Sequence, residues 1–196
     1  CRRIGYSGMT GDCNPITAIF RWGSRNRIVF SIVLSVGFIF FATPDNFTLF
    51  LGLPITVAGC GVRVWASGHI TKDSRLTVVG PYSLSRNPLY AGNFLLGAGF
   101  LVASGNLLLF VIFLFIFAGL YSQTIRNEEE HLQKKFPEEW SSYVRSVPRF
   151  LPMGKGIRYV QGRFNWDLVI KHREPNNWIV IVIVYLILWA KALLLR

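Results

Sequence analysis

Two polar clusters interrupt an otherwise greasy chain, and both hold residue types that bind and orient charged ligands. The first runs Gly80-Pro81-Tyr82, then Arg86-Asn87-Pro88-Leu89-Tyr90-Ala91-Gly92. The second is Arg126-Asn127-Glu128-Glu129-Glu130, with Leu132, Phe136, Trp140 and Tyr143 after it. Asn87-Pro88 reads as a helix start, with Asn as the cap and Pro at the first helical position. Arg86 beside the exposed amides of that terminus favours an anion, a carboxylate or a phosphate. Glu128 and Glu129 can accept from hydroxyls or pair with an ammonium. A ligand that carries both complements is an amino acid.

The elements that must position these clusters are apolar. Of 196 residues, 52% are hydrophobic and 16% charged, against about 25% charged in a soluble domain. The sequence predicts an all-α integral membrane protein, a single domain over 1–196. About five transmembrane helices are expected at 28–43, 47–66, 89–103, 107–125 and 178–195, after a cytoplasmic arm at 1–27. Turns are expected at Pro44-Asp45-Asn46 and Ser104-Gly105-Asn106, because these residues cap and break helices. Pro54 is expected to kink the second helix, where Gly52, Gly59 and Gly61 offer close approach to a neighbour. Gly97 and Gly99 let 89–103 pack closely on 107–125, which makes a helical hairpin the core of the 80–152 region.

Beyond residue 125 the spacing turns amphipathic. Leu132, Phe136, Trp140, Tyr143 and Val147 recur at three- and four-residue steps, so the fourth helix is expected to run on into the cytoplasm until Pro148 and Pro152. Arg63, one turn from the end of the second helix, either snorkels to the interface or pairs with a ligand or a carboxylate of the acidic cluster. Lys191 reads as a snorkelling anchor.

The net charge is +11, but the basic residues lie in the N-terminal arm, the 67–87 loop and the 126–177 segment, while the 43–46 and 104–106 turns carry none. That distribution marks cytoplasmic faces rather than a nucleic-acid surface. It places both polar clusters at the cytoplasmic side of the inner membrane. Cys1, Cys13 and Cys60 form an odd set with no disulfide framework and no Cys/His metal spacing, so no metal is expected. A start at Cys1 rather than methionine is expected of a trimmed or processed chain.

The ordered set Gly-Pro-Tyr, Arg-Asn-Pro-Leu-Tyr-x-Gly, an apolar hairpin, Glu-Glu, Leu132, Phe136, Tyr143 and Pro152 resembles the isoprenylcysteine carboxyl methyltransferase family, which is related to the phospholipid N-methyltransferases. The resemblance covers roughly residues 60–152. It implies a multi-helix membrane enzyme that binds S-adenosyl-L-methionine, an amino acid with ribose hydroxyls, in a cytoplasm-facing pocket and methylates a lipophilic acceptor entering from the bilayer. The family pattern Arg-His-Pro-x-x-x-Gly followed by Glu-Glu maps onto Arg86, Asn87, Pro88, Gly92, Glu128 and Glu129. Asn87 stands where eukaryotic members carry histidine, and an amide can hydrogen-bond but cannot act as a base.

By this resemblance Arg86, Asn87, Pro88 and the helix terminus hold the cofactor's carboxylate, and Glu128 or Glu129 its amino group or ribose. Tyr82 and Tyr90 either line the cofactor pocket or serve as interfacial aromatics. Gly92 either makes room for the adenosine or serves helix packing. Tyr121 and Gln123 border the pocket, and Glu130 and His131 are expected to be solvated. The sulfonium methyl is already electrophilic, so a carboxylate acceptor needs only alignment and a cation to orient it. Arg149 and Arg63 are the candidate catalytic cations. Competing expectations are a phospholipid or amine N-methyltransferase, an NADPH-dependent sterol-reductase-like enzyme, and a non-catalytic lipid-binding or scaffold protein. The reductase would need more basic residues for the nucleotide's extra phosphate, and the scaffold would have lost both clusters.

Overall fold

The computed structural model describes residues 36–70, 75–150 and 162–195. The chain divides into units at 1–36 and 37–196, and the elements below belong to the second. A helix ending at Phe41 is followed by α1 (Asn46–Ser67), a 3-10 turn (Gly80–Ser83), α2 (Pro88–Ala103), α3 (Leu107–Lys135), α4 (Pro137–Ser146), α5 (Trp166–Lys171) and α6 (Glu174–Leu194). The described residues contain no strand.

Three described helices, α1, α3 and α6, are long and apolar enough to cross a membrane. This corrects the expectation of about five. The run expected to span at 89–103 forms α2, which has 16 residues and so a length of about 24 Å against a hydrocarbon core of about 30 Å. The first half of the run at 28–43 lies outside the described residues, and the described half is helical only as far as Phe41. The other three expected spans fall within α1, α3 and α6: α3 runs on past residue 125 as expected but stops at Lys135, and α6 begins at Glu174 rather than at Trp178.

Local chemistry sets the turns. Asp45 caps α1, its carboxylate accepting from the Thr48 amide at 2.7 Å while the Asp45 amide donates to Thr48 Oγ1 at 3.0 Å. These bonds hold the Asp45 carboxyl below the usual carboxylate range. Asn106 caps α3 by accepting from the amides of Leu108 and Leu109, and Gly105 supplies the positive φ of 66° the turn requires. The Thr43 amide donates to the Ser104 carbonyl at 2.8 Å, so the two turns meet at one end of the bundle. The polar clusters gather at the other.

Small residues hold α1 against α2. A Cβ on Gly59 would lie 2.6 Å from the Leu96 nitrogen, and one on Gly52 would lie 2.5 Å from the Gly99 carbonyl oxygen. Close backbone approach of this kind is how helices pack where lipid removes the hydrophobic drive. Leu188 and Ala192 of α6 close a core with Ala42, Leu49 of α1 and Ala103 of α2. Lys191 Nζ donates to the carbonyls of Ile39 and Phe40 at 2.8 Å each, placing a cation on the carbonyl end of the helix before α1.

The amphipathic stretch is two helices rather than one. The chain breaks at Phe136, and Pro137 opens α4. Trp140, Tyr143 and Val147 then fold back onto Leu76, with Leu132 and Phe136 packed beside them.

Candidate functional site

The N-terminus of α2 and the outer half of α3 meet through Glu129. Its Oε1 accepts from Asn87 Nδ2 at 3.2 Å and forms an ion pair with Arg86 Nη1 at the same distance, and its Oε2 accepts from Arg149 Nη2 at 2.7 Å. Glu128, one residue earlier and so rotated about 100° around the helix, accepts from the Tyr90 hydroxyl at 2.8 Å. The hairpin therefore joins the two clusters that lie some forty residues apart in sequence.

Asn87 occupies the cap position of α2 without capping it, since its side chain makes no bond to the helix amides. Its Nδ2 turns instead to Glu129 and to the Arg149 carbonyl, at 3.0 Å from the latter. The Arg86 amide donates to the Pro148 carbonyl at 2.9 Å. The segment after α4 is thereby tied across the start of α2, and this tie is what brings Arg149 to Glu129.

Beneath the cluster lies a cavity of about 210 Å³, whose lining includes Tyr82, Arg86, Asn87, Glu128, Glu129 and Trp140. Trp140 places its ring 5.9 Å from the Arg86 guanidinium carbon, a cation–π contact that steers the side chain. Tyr82 sits in the 3-10 turn that Gly80 opens with a φ of 61°, and its carbonyl accepts from the Tyr143 hydroxyl at 2.7 Å. Tyr82 is 7% exposed, and its hydroxyl, like Arg86 Nε, has no hydrogen-bond partner among the described residues. Burial pushes the Tyr82 phenol well above its ordinary range, and Tyr143 moves the same way for the same reason.

Five of the eight residues expected to hold a cofactor thus line one cavity. Pro88 is buried at the start of α2, and Tyr90 reaches the cavity wall through Glu128. Gly92 faces the opposite side of α2, where a Cβ would lie 2.6 Å from Arg63 Cγ. Tyr121 packs its ring 5.3 Å from that of Tyr90 and accepts from Asn93 Nδ2 at 3.4 Å, whereas Gln123 is exposed.

Arg63 belongs to a second cluster. Its Nε and Nη2 donate to the two oxygens of Glu174 at 3.1 and 2.7 Å, and its Nη1 donates to Asn93 Oδ1. Ser67 and Asn177 also donate to Glu174, at 2.8 and 3.1 Å. Glu174, 2% exposed, was missed in the sequence, although a carboxylate that opens an apolar run calls for a partner such as an arginine inside another run.

A family model described as phospholipid methyltransferase matches residues 56–139, from the middle of α1 into α4. Over 102 residues the chain is 36% identical to the nickel-cobalt-cadmium resistance protein NccN of Alcaligenes xylosoxydans xylosoxydans, covering 51% of this chain and 47% of that protein. It is 32% identical over 128 residues to the cobalt-zinc-cadmium resistance protein CzcN of Cupriavidus metallidurans, covering 64% and 56%. The protein-S-isoprenylcysteine O-methyltransferase of Saccharomyces cerevisiae is 36% identical over 97 residues, covering 47% and 38%. The chain spans about half the length, or less, of the curated relatives it matches. No solved structure matches it. Together these make a distant, partial match to the superfamily of phospholipid and isoprenylcysteine methyltransferases.

Proposed function

We propose that the chain is an S-adenosylmethionine-dependent methyltransferase of the inner membrane, with its site at the cytoplasmic face, that O-methylates a lipophilic carboxylate of the isoprenylcysteine type. The observation that carries this reading is Glu129, which takes Arg86, Asn87 and Arg149 at once on the wall of the cavity. Arg86, Asn87 and Glu129 all fall within the matched residues 56–139.

The cavity fits an amino-acid head group by charge. Arg86 and Asn87 offer donors to a carboxylate, and Glu128 and Glu129 offer acceptors to an ammonium or to ribose hydroxyls. The Tyr82 hydroxyl and Arg86 Nε, without partners among the described residues, add polar positions for a ligand. At about 210 Å³ the cavity lies below the usual 300–1,000 Å³ or so of small-molecule sites. Arg86 and Glu129 must therefore part to admit a whole cofactor. A zwitterion makes that exchange easily, because each charge that loses its partner gains another.

When bound, S-adenosylmethionine supplies an electrophilic sulfonium methyl group. The chain's own part is to hold the reactants in line and keep water out. A carboxylate acceptor is already anionic and needs no base, which suits a site where Asn87 stands in place of a histidine. Arg149, sharing Glu129 with Arg86 and with 43% of its side chain exposed, is better placed to orient that acceptor than Arg63, which Glu174 and Asn93 engage. A second reading, methylation of a phospholipid amine, is favoured by the description of the matching family model. It would require Glu128 or Glu129 to take up a proton.

Calorimetry with S-adenosylhomocysteine on purified protein in detergent tests the reading. The parent is expected to bind, and Arg86→Ala or Glu129→Ala to weaken binding about tenfold or more, the scale of losing one charge-assisted contact. A folded parent that binds nothing overturns the reading and moves attention to nicotinamide cofactors. Transfer of labelled methyl to farnesylcysteine or to phosphatidylethanolamine then separates the two acceptors.

A further inference from the structure

Between α1 and α6 lies a groove of about 530 Å³ whose walls include Val57, Cys60 and Val64 of α1 and Trp178, Ile181 and Val182 of α6. Two polar pins hold the helices together on either side of it. At one level Arg63 and Ser67 grip Glu174; at the other, the Thr56 and Tyr185 hydroxyls meet at 2.8 Å. The pins are seven residues apart on α1 and eleven on α6, about 10 and 16 Å of helix. The facing side chains between them do not close the gap.

Gly61 also lines this groove, and no described atom lies within 4 Å of a Cβ built on it. Gly52 and Gly59 of the same helix, by contrast, press on α2. One end of the groove is roofed by a dedicated contact. Phe164 lies against Gly68 so closely that a Cβ there would collide with its ring, the Asn165 amide donates to the Gly68 carbonyl at 2.9 Å, and Trp166 packs on Phe164 at 5.0 Å. The rim carries Trp65, Trp166 and Trp178, the residue type that sits where hydrocarbon meets headgroups. Val57 and Val182 are exposed at the flank, so on two membrane-spanning helices the groove opens to hydrocarbon.

We propose that this groove seats the long apolar chain of the methyl acceptor, an inference that rests on the function proposed above. The walls offer only apolar contact, and the Thr56 hydroxyl is already engaged by Tyr185 and the Gly52 carbonyl, so the occupant is a chain without polar atoms at that depth. At its roofed end the groove reaches the part of α1 that carries Arg63, and from there Asn93, Tyr121, Tyr90 and Glu128 lead by direct contacts to the polar cavity. A chain held in the groove keeps the acceptor's polar end at the level of the site. Residues 166–194, which supply α5 and α6, lie outside the stretch the family model matches, so the α6 wall of this seat lies beyond that stretch while the α1 wall lies within it.

The test is photolabelling of the full chain in detergent with farnesylcysteine bearing a diazirine at the end of its prenyl chain. S-adenosylhomocysteine binding is followed in parallel. The expected result is labelling of peptides from 56–65 and 178–182, competed by plain farnesylcysteine. Labelling should fall about tenfold or more in Gly61→Leu, the scale on which an apolar pocket discriminates by volume. Gly37→Leu, where an added Cβ also meets no described atom, is the matched control and should label like the parent. Labelling elsewhere, or unchanged labelling in Gly61→Leu, with S-adenosylhomocysteine still bound, overturns the groove and leaves the proposed function standing. Equal, uncompeted labelling by a diazirine phosphatidylcholine overturns it in favour of an ordinary annular lipid. A folded parent that labels but binds no S-adenosylhomocysteine removes the acceptor from the groove together with the proposed function.

Discussion

Glu129 faces two cations and an amide, whereas a buried phenol nearby, that of Tyr82, has no partner among the described residues. Tyr82 therefore separates stability from binding. A buried hydroxyl without a partner costs roughly 1–3 kcal/mol, so Tyr82→Phe should leave the melting temperature unchanged or raise it, while weakening S-adenosylhomocysteine several-fold by calorimetry. A fall in both would mark Tyr82 as merely structural. The same burial gives a pH signature. Tyr82 and Tyr143 hold raised phenol values when folded, whereas the unfolded chain ionises near pH 10. Their contribution to stability is complete below about that pH and is lost as the pH climbs toward the folded values, because the unfolded state then binds fewer protons. Melting temperatures should decline from about pH 10 upward, less steeply in Tyr143→Phe if the remaining fold is intact.

At the scale of elements, what could be read in advance was what neighbours in sequence decide. Asp45 with Thr48, and Gly105 with Asn106, carry their cap and turn chemistry within three residues, and both turns fell where those residues placed them. The spacing from Leu132 to Val147 foretold a common apolar face, but not the break at Phe136 that folds α4 back. The cap expected of Asn87 failed because a carboxylate on another helix competes for its amide, and no local pattern carries that information. Glycine roles were legible only as a group. Gly59→Ala forces a Cβ to 2.6 Å from the Leu96 nitrogen and should cost about 1–3 kcal/mol as overpacking. Gly61→Ala meets no described atom and should be neutral or stabilising by up to about 1 kcal/mol through helix propensity. Thermal melts of the two variants in one detergent check the contrast, and equal losses would contradict the packing described.

Across the whole molecule, composition announced membrane helices, yet counting apolar runs overstated how many described helices are long enough to cross. Hydropathy alone does not register that α2 is too short. Nor does it register that α1 and α6 are joined by an ion pair spanning 111 residues of sequence. Glu174 and Arg63 are buried enough, at 3% and 16% of side-chain exposure, for the pair to be costly to break. Glu174→Ala strands the guanidinium and should destabilise by about 3–5 kcal/mol. Pairing it with Arg63→Met should restore part of that loss, since no lone charge is then left. Thermal melts of the single and double variants decide this, and a double variant no better than Glu174→Ala would show that the pair is not what joins the helices.

The bond from Lys191 to the carbonyls of Ile39 and Phe40 joins residues 152 and 151 positions apart. On a ribosome those two carbonyls are made early, and their donor comes only when α6 is nearly finished. Until then those two carbonyls lack this donor, and an unmet carbonyl is costly wherever water is excluded. Biogenesis thus acquires a late checkpoint, and a nascent chain arrested before residue 191 should remain visible to membrane proteases after its other helices have inserted.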